Sequence, residues 1–154
     1  MISKQLEMIS LDQLVAESHE YRKFGELLDT SKMEEELKGI ETSNNYKGYG
    51  IKRLFRSLLL QFMEDLSDRE LERYMQDSTA AKWFVGFGLS EETPDYSVFS
   101  KLRSRIGTEK LAELFNEMRS QLKKQGYMSE SLTFVDASHL VAKASLWEER
   151  DNVI

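Results

Sequence analysis

The chain has 154 residues, of which 40% are hydrophobic and one is a proline, so it can bury a core and is not a disordered tail. A net charge of -6 argues against a protein that coats nucleic acid through bulk positive charge, so any DNA contact must come from a local patch. The chain has no cysteine, which excludes disulfide frameworks and thiolate metal sites. No apolar run approaches 20 residues, which excludes membrane spans. Because a secretory signal pattern is also absent, the sequence predicts a cytoplasmic protein.

The first half of the chain predicts helices, two of them within the first forty residues. Leu11, Leu14 and Val15 begin an apolar face, an acidic helix covers 33–37, and the Ser-, Asn- and Gly-rich stretch 42–50 predicts a hinge loop. The clearest helix follows it. Its apolar residues recur at helical spacing and predict the central core helix: Ile51, Leu54, Phe55, Leu58, Leu59, Phe62 and Met63.

Two shorter helices are predicted next. Ser67 and Glu70 form a capping-box pattern, so a helix begins at Asp68. Ser78 or Thr79 caps the following helix, which holds three apolar residues and ends at two glycines. We assign Trp83 and Phe84, together with Phe99 further along, to the core, because their spacing suits packing better than base stacking.

The stretch 93–107 predicts a helix with two unlike faces. Apolar residues form one stripe: Val98, Phe99, Leu102 and Ile106. Hydroxyl and cationic residues form the other face, with Arg103 at its edge: Ser97, Lys101, Ser104 and Arg105. Such a helix suits contacts with DNA phosphates and base edges. Together with the short helices before it, it is compatible with a helix-turn-helix-like arrangement. The competing interpretation is an ordinary solvated helix face.

The last third of the chain predicts one more helix and then strands. Thr108 is positioned to cap an amphipathic helix that ends at Gly126, and Lys123 and Lys124 in its last turns suit either the helix dipole or the DNA backbone. The stretch 132–144 is rich in Leu, Val, Thr and Phe, which predicts one or two strands. Asp136 ends the apolar run 132–135, where a carboxylate needs a partner or a cation unless it is a turn residue. His139 is a weaker signal, because no second His lies nearby.

Four sequence blocks carry a family resemblance: FMEDLSDRELERYMQDS, WFVGFGLSEETPDYSVFSKLRSRIG, KKQGYMSESL and FVDASHLVAKAS. In order and spacing, residues 51–144 resemble the N-terminal half of bacterial insertion-sequence transposases of the DDE type, in the insertion sequence five group. The resemblance implies a mainly α chain. Residues 1–129 would be a helical bundle with a helix-turn-helix-like element that binds double-stranded DNA at transposon ends, and 130–154 a short β segment that begins a ribonuclease-H-like catalytic domain.

The resemblance also implies a metal site. Asp136 matches the first acidic residue of the family's catalytic triad, in which three carboxylates hold two Mg²⁺ or Mn²⁺ ions for strand transfer. The strands that would carry the second and third acids are absent from these 154 residues, and Glu148, Glu149 and Asp151 match solvated helix charges instead. We therefore expect the ribonuclease-H-like domain to be incomplete and this polypeptide alone to be inactive in DNA cutting and joining.

Three functional interpretations stay open. The chain is a truncated transposase that retains DNA binding, or half of a split or frameshifted enzyme, or a helical interaction module, which the acidic pI favours. Self-association is expected from apolar surface on 132–141, and no membrane or small-molecule partner is expected. The expected DNA contacts are Lys101, Arg103, Ser104, Arg105, Lys123 and Lys124.

Overall fold

The computed structural model describes residues 6–40, 48–126 and 137–153. These described residues contain nine α-helices, one turn of 3₁₀ helix at Lys38–Ile40, and no strand. The helices are α1 (Leu11–Leu14), α2 (Glu20–Leu27), α3 (Ser31–Leu37), α4 (Ile51–Met63), α5 (Asp68–Asp77), α6 (Thr79–Val85), α7 (Tyr96–Ile106), α8 (Thr108–Lys124) and α9 (Ala137–Val153). The prediction of a mainly helical chain is confirmed, although the first forty residues form three helices rather than two.

Helix α4 is the centre of the core, as its apolar stripe predicts. Burial of α4 extends beyond the predicted apolar stripe, because Ser57, Leu60 and Gln61 are buried as well. Its Phe62 ring lies 4.9 Å from the ring of Phe115 on α8, in an edge-to-face arrangement. Partners therefore surround α4 on nearly all sides.

Side-chain caps begin α5, α6 and α7, and those before α5 and α6 are the caps that the sequence predicts. Ser67 Oγ accepts a hydrogen bond from the Glu70 backbone amide at 3.2 Å, and Glu70 Oε1 accepts one from the Ser67 amide at 2.9 Å, so the capping box before α5 is confirmed. Ser78 caps α6, and Asp95 caps α7 by accepting from the Ser97 amide at 2.8 Å. These side chains satisfy amides that would otherwise lack partners at each helix start.

Gly107 joins α7 to α8 with no intervening loop. Its φ of 88° and ψ of 146° lie in a region that is open essentially to glycine alone. The expected cap, Thr108, is instead the first residue of α8, because Gly107 occupies the N-cap position. On either side of Gly107, the apolar faces of both helices pack onto α4.

The strand prediction for 132–144 is wrong from residue 137 onward, where the chain forms α9. Leu140, Ala144 and Trp147 recur at helical spacing and pack against the core, and this burial of one helical stripe outweighs the local preference of Val and Leu for strands. Residues 132–136 lie outside the described residues. Although α9 belongs to the segment 130–154, it packs on α5 and α8 of the segment 1–129.

A helix-turn-helix is not shown. Helix α6 ends at Val85 and α7 begins at Tyr96, so ten residues, 86–95, connect them. A helix-turn-helix joins its two helices through a turn of about three or four residues. The longer connection leaves α7 as a separate helix that packs on α5 and α8.

Candidate nucleic-acid interface

Helix α7 presents the two faces that its sequence predicts. Val98, Phe99, Leu102 and Ile106 are buried. Lys101, Ser104 and Arg105 are exposed on the opposite side. The buried stripe holds α7 in place, so its exposed cations and hydroxyl project from a fixed backbone.

Arg103 does not share that exposed face. Its side chain is 15% exposed, and its Nη1 lies 2.7 Å from Asp68 Oδ1 on α5. Nη1 also donates to Gln61 Oε1 on α4 at 2.8 Å. Its guanidinium carbon lies 5.5 Å from the ring centroid of Trp147 on α9. The Arg103 guanidinium therefore donates hydrogen bonds to α4 and α5 and lies near a ring of α9, and its side chain is mostly buried although it lines the groove between α7 and α9.

Helix α9 runs beside the polar face of α7 and forms a groove of about 270 Å³ with it. Ser100, Ser104 and Thr108 line one wall of the groove, and Ser145 and Glu148 belong to the other. The hydroxyl groups suit phosphate oxygens, whereas the Glu148 carboxylate disfavours them. A nucleic acid bound in this groove would therefore lie close to the negative charge of Glu148.

Lys123 and Lys124 are exposed in the last turn of α8. Arg105 lies just before the opposite end of α8, so the rise of 1.5 Å per residue places the two clusters roughly 24 Å apart along the helix axis. The structure therefore brings Lys101, Ser104 and Arg105 together and leaves Lys123 and Lys124 as a separate cluster. A duplex that contacts both clusters must extend along α8.

The three aromatic residues assigned to the core have different environments. Phe84 and Phe99 are buried, as predicted. Trp83 is only partly buried: its indole Nε1 donates to Asp12 Oδ1 at 3.0 Å, and the Arg22 guanidinium lies 4.7 Å from its ring centroid. Trp83 thus packs at the edge of the core.

Asp136 lies outside the described residues, so its expected place in a metal site stays a prediction. In the part of the chain that the structure describes, no group of three or more His, Cys, Asp or Glu side chains could hold a metal ion. The described residues do not fit the Mg²⁺ or Mn²⁺ pair that the family resemblance implies, and no chemical step is assigned to such a pair. Glu148 and Glu149 are exposed on α9, as expected for solvated helix charges, whereas Asp151 on the same helix is partly buried and its Oδ1 is buried with no hydrogen-bond partner among the described residues.

Two polar features were missed by the sequence interpretation. Asp65, between α4 and α5, accepts from Trp147 Nε1 at 3.0 Å and pairs with Lys143 at 3.1 Å, so it anchors α9. Arg56, on α4, lies beside a cavity. The cations of α4 were visible in the sequence, but their surroundings depend on α2 and α6, which are distant in the chain.

Comparison with known proteins identifies one family. The model described as Transposase domain (DUF772) matches residues 9–105, well over half of the chain. The matched region runs from just before α1 almost to the end of α7, and so includes Lys101, Ser104 and Arg105. No curated protein and no solved structure matches the chain. None of the described helices is both long and apolar enough to cross a membrane.

Proposed function

The chain belongs to the Transposase domain (DUF772) family, and from that premise we propose that it binds double-stranded DNA at transposon ends, with α7 as the main contact. The observation that carries this proposal is the exposed set Lys101, Ser104 and Arg105 on one side of a helix whose other side is buried. Cations pair with phosphates, and serine hydroxyls donate to phosphate oxygens or base edges.

In this proposal α7 serves as a recognition helix that enters the major groove. Its preceding helices α5 and α6 act as the support, in a looser arrangement than a helix-turn-helix because of the ten-residue connection. Lys123 and Lys124 serve as backbone contacts further along the duplex. Arg103 is left out of the contact set, because its guanidinium is held by Asp68 and Gln61.

The finer family assignment is part of the same proposal. We assign the chain to the insertion sequence five group of DDE transposases on the four blocks that resemble it, with Asp136 as the first metal-binding carboxylate of the complete enzyme. Strand transfer by the DDE mechanism requires two further carboxylates. We therefore propose DNA binding, and not DNA cutting, as the activity of these 154 residues.

The test is fluorescence anisotropy of the purified chain with labelled duplexes that carry the ends of its element, across a salt series. We expect Lys101→Ala/Arg105→Ala to weaken binding and to lower the slope of log affinity against log salt by about two, since each lost phosphate contact lowers it by about 0.9. Lys123→Ala/Lys124→Ala is the matched control, with the same charge change at the other cluster.

The outcomes separate the contributions of the two clusters. A larger loss from the α7 pair than from the α8 pair supports α7 as the main contact, and an equal or smaller loss contradicts it. A folded chain that binds no duplex at low salt would contradict the whole proposal. The alternative of a helical interaction module would then stand.

A further inference from the structure

Arg56 on α4 is a partly buried arginine with no carboxylate in ion-pair contact among the described residues, and Glu34 attracts it only from beyond 4.0 Å. Its Nη1 donates to the backbone oxygen of Phe84 at 2.9 Å, and its Nε is buried with no hydrogen-bond partner among the described residues. Burial lowers the pKa of Arg56, yet a guanidinium stays protonated in proteins. A buried charge without a partner is costly, so a counter-charge at this position would be stabilising.

Four other partly buried arginines have the close carboxylate that Arg56 lacks. Within the described ranges, no carboxylate lies within 4.0 Å of the Arg56 guanidinium. Such carboxylates do pair with four other arginines: Arg22 with Asp12, Arg53 with Glu91, Arg103 with Asp68, and Arg150 with Glu70. Among the described residues Arg119 is likewise partly buried without a carboxylate within 4.0 Å, but Arg56 also has a buried Nε without a hydrogen-bond partner and lines a cavity, where an external anion could pair with it.

A cavity of about 290 Å³ lies beside Arg56. It is lined by Arg22, Gly25, Glu26, Arg56, Trp83 and Phe84. A Cβ built on Gly25 would meet nothing within 4 Å, so this stretch of α2 leaves the space open. The volume is just below the usual range for ligand pockets, about 300–1,000 Å³, which suits a phosphate or a single nucleotide rather than a larger ligand.

The walls of the cavity are fixed by contacts of their own. Arg22 is occupied by Asp12 and by the backbone oxygens of Val15 and Ala16. Trp83 is held by its hydrogen bond to Asp12. Glu26 is an exposed carboxylate that lines the cavity, and its negative charge repels an anion. Arg56 is therefore the cavity-lining cation without an ion pair among the described residues, and the side chains of the wall lose little conformational freedom when a ligand enters.

We propose that this cavity binds a phosphate group, which pairs with the guanidinium of Arg56. The phosphate belongs to a free ion, a mononucleotide or the 5′ end of a DNA strand, since all three present the same oxyanion. The site goes beyond the proposed DNA contact on α7, because no residue of α7 lines the cavity. Pairing with phosphate would supply the close counter-charge that the more distant Glu34 does not provide.

The experiment follows the fluorescence of Trp83 in the full chain carrying Trp147→Phe, which leaves Trp83 as the only tryptophan. Sodium phosphate, deoxyadenosine monophosphate and deoxyadenosine are titrated at constant ionic strength, balanced with chloride. We expect both phosphate-bearing probes to change the fluorescence and deoxyadenosine to leave it unchanged. Arg56→Gln should raise Kd for phosphate at least tenfold.

A second variant tests the cavity without changing Arg56, in case the Arg56→Gln substitution prevents folding. Gly25→Met places a side chain in the cavity without removing the charge, and should also abolish the response to phosphate. Lys101→Ala/Arg105→Ala is the matched control, which should keep the phosphate affinity of the unaltered chain even where it loses duplex binding. The failure of the α7 proposal and the failure of this one are thereby distinguishable.

The probes also distinguish the source of the phosphate. Equal affinity for inorganic phosphate and the mononucleotide supports recognition of the phosphate alone. Tighter binding of the mononucleotide, or of a 5′-phosphorylated strand over its unphosphorylated counterpart, supports the same site with a nucleotide ligand. Unchanged fluorescence up to tens of millimolar phosphate, or equal phosphate affinity in a folded Arg56→Gln variant, would overturn the proposal.

Discussion

Arg103 on α7 and Asp68 on α5 form an ion pair through two parallel contacts, with Nη1 2.7 Å from Oδ1 and Nη2 3.0 Å from Oδ2. The two side chains are 15% and 14% exposed. Gln61 on α4 bonds to both members, since it donates to Asp68 and accepts from Arg103. A residue expected to contact DNA thus holds three helices together.

Removing one member of this pair should destabilise the fold strongly. We expect Arg103→Met to lower the free energy of unfolding by about 3 kcal/mol, because it leaves the Asp68 carboxylate without its counter-charge in a mostly buried position. Urea denaturation followed by circular dichroism measures the change. The double variant Arg103→Met/Asp68→Leu should recover most of the loss, since apolar residues replace both charges. A loss within 0.5 kcal/mol, the size expected for the exposed Lys101→Ala, would contradict the structural role.

Trp147 should be the main anchor of α9. Its side chain is 1% exposed and its ring lies 5.0 Å from that of Phe62. We expect Trp147→Ala to cost about 3–5 kcal/mol in unfolding free energy, from lost burial and the cavity that remains. Trp147→Phe keeps an aromatic ring but loses the hydrogen bond to Asp65, so it should cost less. Chemical denaturation of both variants tests this order, and equal costs would contradict it.

The anchor at Asp65 should depend on pH. Burial raises the pKa of Asp65, but the hydrogen bond from Trp147 and the ammonium of Lys143 outweigh burial and hold the pKa below its ordinary value. A lowered carboxylate pKa contributes stability that is present above the unfolded pKa, near 4, and is lost as the pH falls through the folded pKa.

The matched substitution for this pH effect is Asp65→Asn. Asp65 has a φ of 52°, a left-handed conformation that asparagine tolerates, so the substitution removes the charge without adding backbone strain. We expect Asp65→Asn to be less stable than the unaltered chain by about 1 kcal/mol at pH 7. The difference should shrink as the pH falls below about 4. Urea denaturation between pH 3 and pH 7 measures it, and a difference that is constant with pH would exclude the carboxylate as the cause.

The turn at Gly107 should not tolerate a side chain. Its φ of 88° with ψ of 146° is strained for any other residue, so Gly107→Ala should destabilise by about 1–3 kcal/mol, although a Cβ meets nothing within 4 Å. Gly25→Ala, inside α2, is the matched control and should stabilise by about 0.5–1 kcal/mol through helix propensity. Thermal unfolding of the two variants should therefore shift in opposite directions.

The sequence by itself determined most of the helices and the core. The stripe of α4, the capping box at Ser67 and Glu70, and the buried face of α7 all depend on residues within a few positions of one another. Helical period and capping are local properties, so they can be recognised without a structure. The match to the transposase family includes the same helices and agrees with the resemblance found in their sequence blocks.

Only the tertiary structure decided which charges are available. Arg103 and Arg105 are two positions apart, yet one meets Asp68 and the other is exposed, because α5 packs against only one side of α7. Likewise, burial of Trp147 against Phe62 holds α9 as a helix where the local composition favours strands, and α2 and α6 enclose Arg56 beside its cavity. These outcomes depend on contacts between segments far apart in the chain, and local residue patterns do not encode the angles at which such segments pack.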